Sequence, residues 1–264
     1  MKTRPELADT LFPQIGTIVS TACLAHDMGN PPFGHSGEKA IQTFFSEGNG
    51  AILQPMVSKE LWADITHFEG NANAFRLLAH RFLGRRDGGF AMTYATLASI
   101  VKYPFASTLA EKGHGKFGFF KAELDCFRMV ATELGLIEKS ADVFARHPLV
   151  YLMEAADDIC YQVMDIEDAH KLKILGIEEV TTLLTGFFNP ERCRHITGVL
   201  DNIDDDNEKV AYLRSCVVGE LVGECATVFV DNEECILNGE FEGCLIDHIS
   251  LVARNGYAEC SRTA

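Results

Sequence analysis

The chain has 264 residues, 47% of them apolar, and a formal net charge of −15. That is enough apolar material for a sizeable core, far from a disordered composition, and no apolar run approaches the roughly 20 residues needed to cross a bilayer. The acidic balance argues against broad nucleic-acid binding, which needs clustered Lys and Arg, and the nine cysteines, irregularly spaced and without a CxxC pair, suit reduced thiols in a cytoplasm.

The spacing predicts a first helix over 5–25. Asp9 or Thr10 can cap it, which puts Pro13 in the first turn, and Leu11, Ile15, Ile18, Val19, Ala22 and Cys23 form an apolar stripe. Four residues beyond Ala22 that stripe reaches His26. A satisfied core histidine is the plain reading, but Asp27 beside it weakens that reading, since a buried carboxylate without a cation is costly. Together His26 and Asp27 offer a nitrogen and an oxygen to one divalent ion. Gly29, Asn30, Pro31, Pro32 and Gly34 follow, and glycine freedom with proline bends can fold His35 and Glu38 back over a metal-bound water. A second helix is predicted over 36–45, opened by Ser36, where Glu38 in the first turn also has a simple role beside the helix dipole.

Residues 62–83 read as one long helix with Ile65, Phe68, Ala72, Phe75, Leu78 and Ala79 on its apolar face. His67 and Asn71, four apart, would share a polar one. Residues 85–89 form a glycine-rich break, and a helix over 93–102 ends at Tyr103-Pro104. A loop over 107–116 precedes a helix over 123–136 stopped at Gly135. Residues 148–171 contain no glycine or proline after Pro148 and predict one continuous helix, with Asp157, Tyr161 and Asp165 spaced at four on one side. Acidic side chains so spaced repel one another unless a cation or hydroxyl-rich ligand lies between them. A solvated acidic stripe accounts for Glu167 and Asp168, but less well for Asp157 among Ala155, Ala156 and Ile159. Helical stretches over 172–188, broken at Gly176, and 208–230 flank an acidic turn over 201–207, and the last ten residues are expected to fray.

The run LAHDMGNPPFGHSGE over 24–38 closely resembles the metal-and-catalysis motif of the deoxyguanosine triphosphate triphosphohydrolases, a branch of the HD-domain phosphohydrolases. HFEGNAN, TYATLASIVKYP, KFGFFKAE and the EAADDIxYxxxDxEDA pattern are similar to later segments of the same family. The resemblance implies an all-α HD-type domain over 1–200 and a C-terminal helical extension over 201–264. It also implies hydrolysis of dGTP, and of other deoxynucleoside triphosphates, to the nucleoside and inorganic triphosphate. Metal ligands would be His26, Asp27 and Asp157, holding Mn²⁺ or Mg²⁺, though Fe²⁺ and Co²⁺ suit such donors as well. His35 and Glu38 would form an acid/base relay near the departing 5′-oxygen. His67 and Asn71 would line the nucleotide pocket, and Tyr161 and Asp165 would recognise the sugar and its 3′-hydroxyl. Lys102, Lys116 and Lys121 are candidate cations for the triphosphate, with ordinary surface lysines as the plain alternative. A homo-oligomer of the full-length form, a cytoplasmic location and no membrane partner complete the expectation.

One departure stands against these matches. HD enzymes take a first metal-binding His from a helix upstream of the HD pair, and no His precedes His26 here. The visible ligand set is one short, as expected of a member truncated at both ends. An HD phosphohydrolase acting on nucleotide monophosphates is one alternative, disfavoured by the GNPPFGHSGE run. A non-catalytic nucleotide-binding subunit is another, kept open by the missing ligand.

Overall fold

The computed structural model describes residues 8–84, 88–113 and 115–263. Among the described residues the chain is all-α apart from an isolated bridge, Ala106 with Phe119, and one small antiparallel hairpin, β1 (Glu138–Ser140) and β2 (Val143–Phe144), which the sequence did not signal. The first residues of the glycine-rich break expected over 85–89 lie outside the described residues.

Two compact units divide the chain. One holds the residues up to 153 together with 235–240, and the other holds 154–234 with the residues from 241 onward.

In the first unit, α1 (Ala8–Ala25) carries Pro13 inside the helix rather than in its opening turn. A 3₁₀ turn over His26–Gly29 follows, then α2 (Gly34–Ser46). This helix begins two residues before Ser36 because Phe33 adopts the left-handed conformation, φ 69°, and turns the chain into the helix directly. The helix expected over 62–83 is two helices, α3 (Lys59–Thr66) and α4 (Gly70–Ala79). Glu69 breaks them apart by capping α4, its side chain accepting from Ala72 N, while Gly70 supplies the first helical residue. A short α5 (Tyr94–Ser99) is capped by Thr93, and α6 (Leu124–Leu134) ends at Gly135, whose φ of 66° terminates the helix. The predicted loop over 107–116 contains a 3₁₀ segment, Ser107–Gly113.

The core of this unit is aromatic. Phe119 stacks on Phe127 at 4.4 Å between ring centroids, with Phe75 and Phe144 edge-on to Phe127 at 5.7 and 5.5 Å. Ala22, Ala25, Leu97, Val130 and Met153 close around these rings.

Helix α7 (Pro148–Lys171) is continuous, as its composition predicts, and its residues from Glu154 belong to the second unit. That unit adds α8 (Ile177–Thr185), α9 (Pro190–Leu200) and α10 (Asp206–Asp231). Asn189 caps α9 ahead of a first-turn Pro190, the position where a missing N–H is harmless. Val210, Leu213, Val217, Leu221, Cys225 and Val228 form the buried stripe of α10 at spacings of three and four. A short α11 (Glu233–Leu237) spans the unit boundary. The end expected to fray is α12 (Leu251–Thr263), helical with Ala253, Gly256 and Cys260 buried. Among the described residues no helix is long and apolar enough to cross a membrane.

Candidate active site

The first unit assembles its polar residues where the His26–Gly29 turn meets the N-terminus of α4. Gly29 lies so close to α4 that a Cβ there would collide with Gly70 O and Ala74 N, and Asn73 Nδ2 donates to Gly29 O at 2.9 Å. The sequence Gly29-Asn30 and Glu69-Gly70 therefore act as one joint. Asn30 Nδ2 donates to Asp27 Oδ1 at 2.9 Å, which orients that carboxylate.

His26 is buried, and its Nδ1–H donates to Cys23 O at 2.7 Å. That bond fixes the tautomer, so Nε2 carries the lone pair and faces Asp27 Oδ1 at 3.4 Å. Two acceptors side by side, one oriented through its far ring nitrogen by a backbone carbonyl, suit a divalent cation's first two ligands. The donors therefore fit such an ion. Among the described residues no group of three His, Cys, Asp or Glu is gathered as a metal cage.

His35 and Glu38 are brought together. His35 is exposed, Glu38 is buried, and Nδ1–H of the former donates to Oε2 of the latter at 3.1 Å. The other oxygen, Oε1, accepts from Gly70 N at 2.6 Å. Glu38 thus does meet a helix dipole, but at the start of α4 rather than of its own helix. Beside the pair opens a cleft of about 230 Å³, lined by Lys39, Gln42, Glu69, Gly115 and Lys116 as well. Of the three candidate lysines, Lys116 faces this cleft, bonding Glu69 Oε1 at 2.9 Å with Glu38 Oε2 at 3.8 Å. Burial works against its ammonium, but Glu69 and Glu38 outweigh burial and raise its pKa above the ordinary value. Lys121 uses its backbone N–H on Asp64 instead, and its Nζ is 3.9 Å from Asp142.

The shared polar face expected for His67 and Asn71 does not exist, because the helix breaks between them. His67 is the exposed C-cap of α3, its Nδ1–H donating to Ala63 O at 3.1 Å. Asn71 Nδ2 donates to Glu69 Oε1 at 3.0 Å and steadies that carboxylate. Glu69, Gly70, Asn30 and Asn73 are the site residues missed from the sequence. Their signal was a glycine in the middle of a presumed helix, preceded by an acid able to cap.

In the second unit, Asp157, Tyr161 and Asp165 share the continuous α7; Asp157 is half-buried, Tyr161 and Asp165 exposed. Ala155 and Ile159 are buried as expected. Glu167 is not a solvated acid. It is buried and paired with both Lys171 and Arg214, which outweigh burial and hold its carboxyl below the usual range.

No protein-family profile matches the chain. Curated relatives do. A protein of Pseudomonas aeruginosa named deoxyguanosinetriphosphate triphosphohydrolase-like is 41% identical over 254 residues, covering 93% of this chain and 56% of that protein. A like-named protein of Synechocystis is 41% identical over 248 residues, 88% of this chain and 54% of its own. The deoxyguanosinetriphosphate triphosphohydrolase of Yersinia pestis is 30% identical over 290 aligned positions, 93% of this chain and 55% of its own. The chain spans about half the length of the curated relatives it matches.

Proposed function

Kinship with the deoxyguanosinetriphosphate triphosphohydrolases and their like, over about nine-tenths of this chain, is the premise from which we propose that it hydrolyses dGTP to deoxyguanosine and inorganic triphosphate. The observation that carries the reading is the His35–Glu38 pair, held on the N–H of Gly70 at the start of the helix against which the His26–Gly29 turn packs. With Glu38 accepting from Nδ1–H, His35 presents its Nε2 to solvent, where it can take up or return a proton near a leaving oxygen. Histidine suits that exchange because its ordinary pKa lies near neutrality. A divalent ion, Mn²⁺ or Mg²⁺ by the donor chemistry, would supply charge neutralisation at the α-phosphate and a more acidic bound water. His26 and Asp27 would hold it. Asp157 as a ligand, and Tyr161 and Asp165 as readers of the sugar, stay in the proposal on the resemblance alone, as does dGTP as the preferred base.

The test is incubation of the chain with dGTP and Mn²⁺, with products separated. Inorganic triphosphate supports the reading. A monophosphate product or binding without turnover overturns it in favour of a different phosphohydrolase or a binding subunit. In an active preparation, His35→Ala or Glu38→Gln should lower kcat by about 10²–10⁴-fold with the fold intact by circular dichroism.

A further inference from the structure

We propose that Glu69 is a positioning residue for the His35–Glu38 pair, holding the Lys116 ammonium on its own carboxylate and so reserving the second oxygen of Glu38 for His35. The proposal rests on the reading above only for what the pair does; the arrangement itself involves no substrate.

Two donors compete for Glu38 Oε2. His35 Nδ1 lies 3.1 Å away and Lys116 Nζ 3.8 Å away. The ammonium is the stronger partner for a carboxylate, since charge-assisted N⁺–H···O⁻ bonds close to about 2.7–2.9 Å. It does not close here because it is bonded instead to Glu69 Oε1 at 2.9 Å. Glu69 cannot follow it across the cleft. Its side chain is 2% exposed, Oε2 accepts from Ala72 N at 3.1 Å as the cap of α4, and Oε1 also accepts from Asn71 Nδ2 at 3.0 Å.

The same cap begins the helix whose first N–H, that of Gly70, reaches Glu38 Oε1 at 2.6 Å. Glu38 is therefore fixed at one oxygen by the helix that Glu69 starts. At its other oxygen it is left to His35 by the cation that Glu69 retains. Among the described residues, the remaining charged group lining the cleft is Lys39 of α2, which is exposed. Glu69, Lys116 and Glu38 alternate in sign on the way to His35, so removing the outer charge releases the next one onto the pair.

The experiment follows the His35 ring signals by NMR against pH in the whole chain with no nucleotide present. In Glu69→Gln, whose amide oxygen can still cap α4, the ammonium moves onto Glu38 and cancels the anion beside His35. The His35 midpoint should then fall by about half a unit relative to the unaltered chain. Adding Lys116→Met to that variant should return the midpoint to its starting value or above. A midpoint unmoved in the single variant, or equally low in the double variant, overturns the proposal. Should Glu69→Gln fail to fold, Lys116→Met alone decides, because the cap is untouched. The midpoint should rise, and a fall or no change overturns the proposal. A chain that never turns over dGTP would sink the proposed reaction while leaving this titration fully readable.

Discussion

A Cβ on Gly29 would drive into Gly70 O and Ala74 N, backbone atoms that cannot move without shifting α4. A Cβ on Gly70 would press hardest on the ends of two side chains, Asn30 Oδ1 and Glu38 Oε1, with the backbone Cα of Asn30 at an ordinary 3.4 Å. The two substitutions should therefore separate. Gly29→Ala is expected to destabilise the first unit by about 3 kcal/mol, the upper range for overpacking, whereas Gly70→Ala should cost about 1 kcal/mol yet displace Glu38. Urea unfolding of both variants checks this, and equal losses would contradict it. A third residue, Glu123, sets a pH dependence. Burial pushes its carboxyl up to about 7; the Arg76 guanidinium at 2.7 Å opposes this and Asp64 adds to it. Among the described residues, its buried Oε2 meets no hydrogen-bond partner. Between the ordinary 4.5 and about 7 the folded chain keeps this proton after the unfolded chain has lost it. Stability should thus fall as pH rises through that window and level off above it. Glu123→Gln should flatten the slope, a difference on the order of 2 kcal/mol at pH 8 by urea unfolding.

Among the elements, those whose ends are written in local chemistry were legible and those decided by a distant neighbour were not. Gly135 announced the end of α6, and the unbroken composition of 148–171 announced α7. The break between α3 and α4 was hidden because the apolar spacing of Ile65, Phe68, Ala72 and Phe75 runs straight through it. What broke the helix there was tertiary, the demand for a helix N-terminus facing Glu38 from α2. The candidate site followed the same pattern. The His35–Glu38 pair was implied by the resemblance of residues 24–38 to the family motif, while Glu69 looked like one more acid on a helix until its cap and its lysine were seen together. Local caps also carry a measurable load. Asn189 Oδ1 accepts from both Glu191 N and Arg192 N, so Asn189→Ala should cost about 1 kcal/mol in thermal or urea unfolding. Asn189→Asp, which keeps the acceptor, should recover most of that loss.

Over the whole molecule the charge is unevenly divided. The second unit carries 22 Asp and Glu against 8 Lys and Arg, a net of −14, while the first carries 16 against 15. The His26–Asp27 corner and the His35–Glu38 pair therefore belong to a nearly neutral unit, and the adverse field that a −15 chain would turn on a phosphate ligand originates almost wholly in the other. For the second unit itself the excess is a matter of stability. Its ion pairs include Lys171 with Glu167 and Asp168, Arg214 with Glu167, Lys209 with Asp206 and Arg262 with Glu259, but eight Lys and Arg cannot balance 22 acids. The more exposed of these pairs, Lys209 with Asp206 and Arg262 with Glu259, contribute only about 0–1 kcal/mol each, so screening them loses little. Screening the repulsion among the remaining acids gains more, because the Debye length shrinks from about 30 Å at 0.01 M salt to about 8 Å at 0.15 M, less than the span of a domain. Raising NaCl across that range should therefore increase the chain's Tm by several degrees. The gain should be largest in a probe of the second unit, such as burial of Cys225 or Cys260 against thiol labelling. A Tm that falls with salt would mean that the ion pairs, not the net negative excess, govern this unit.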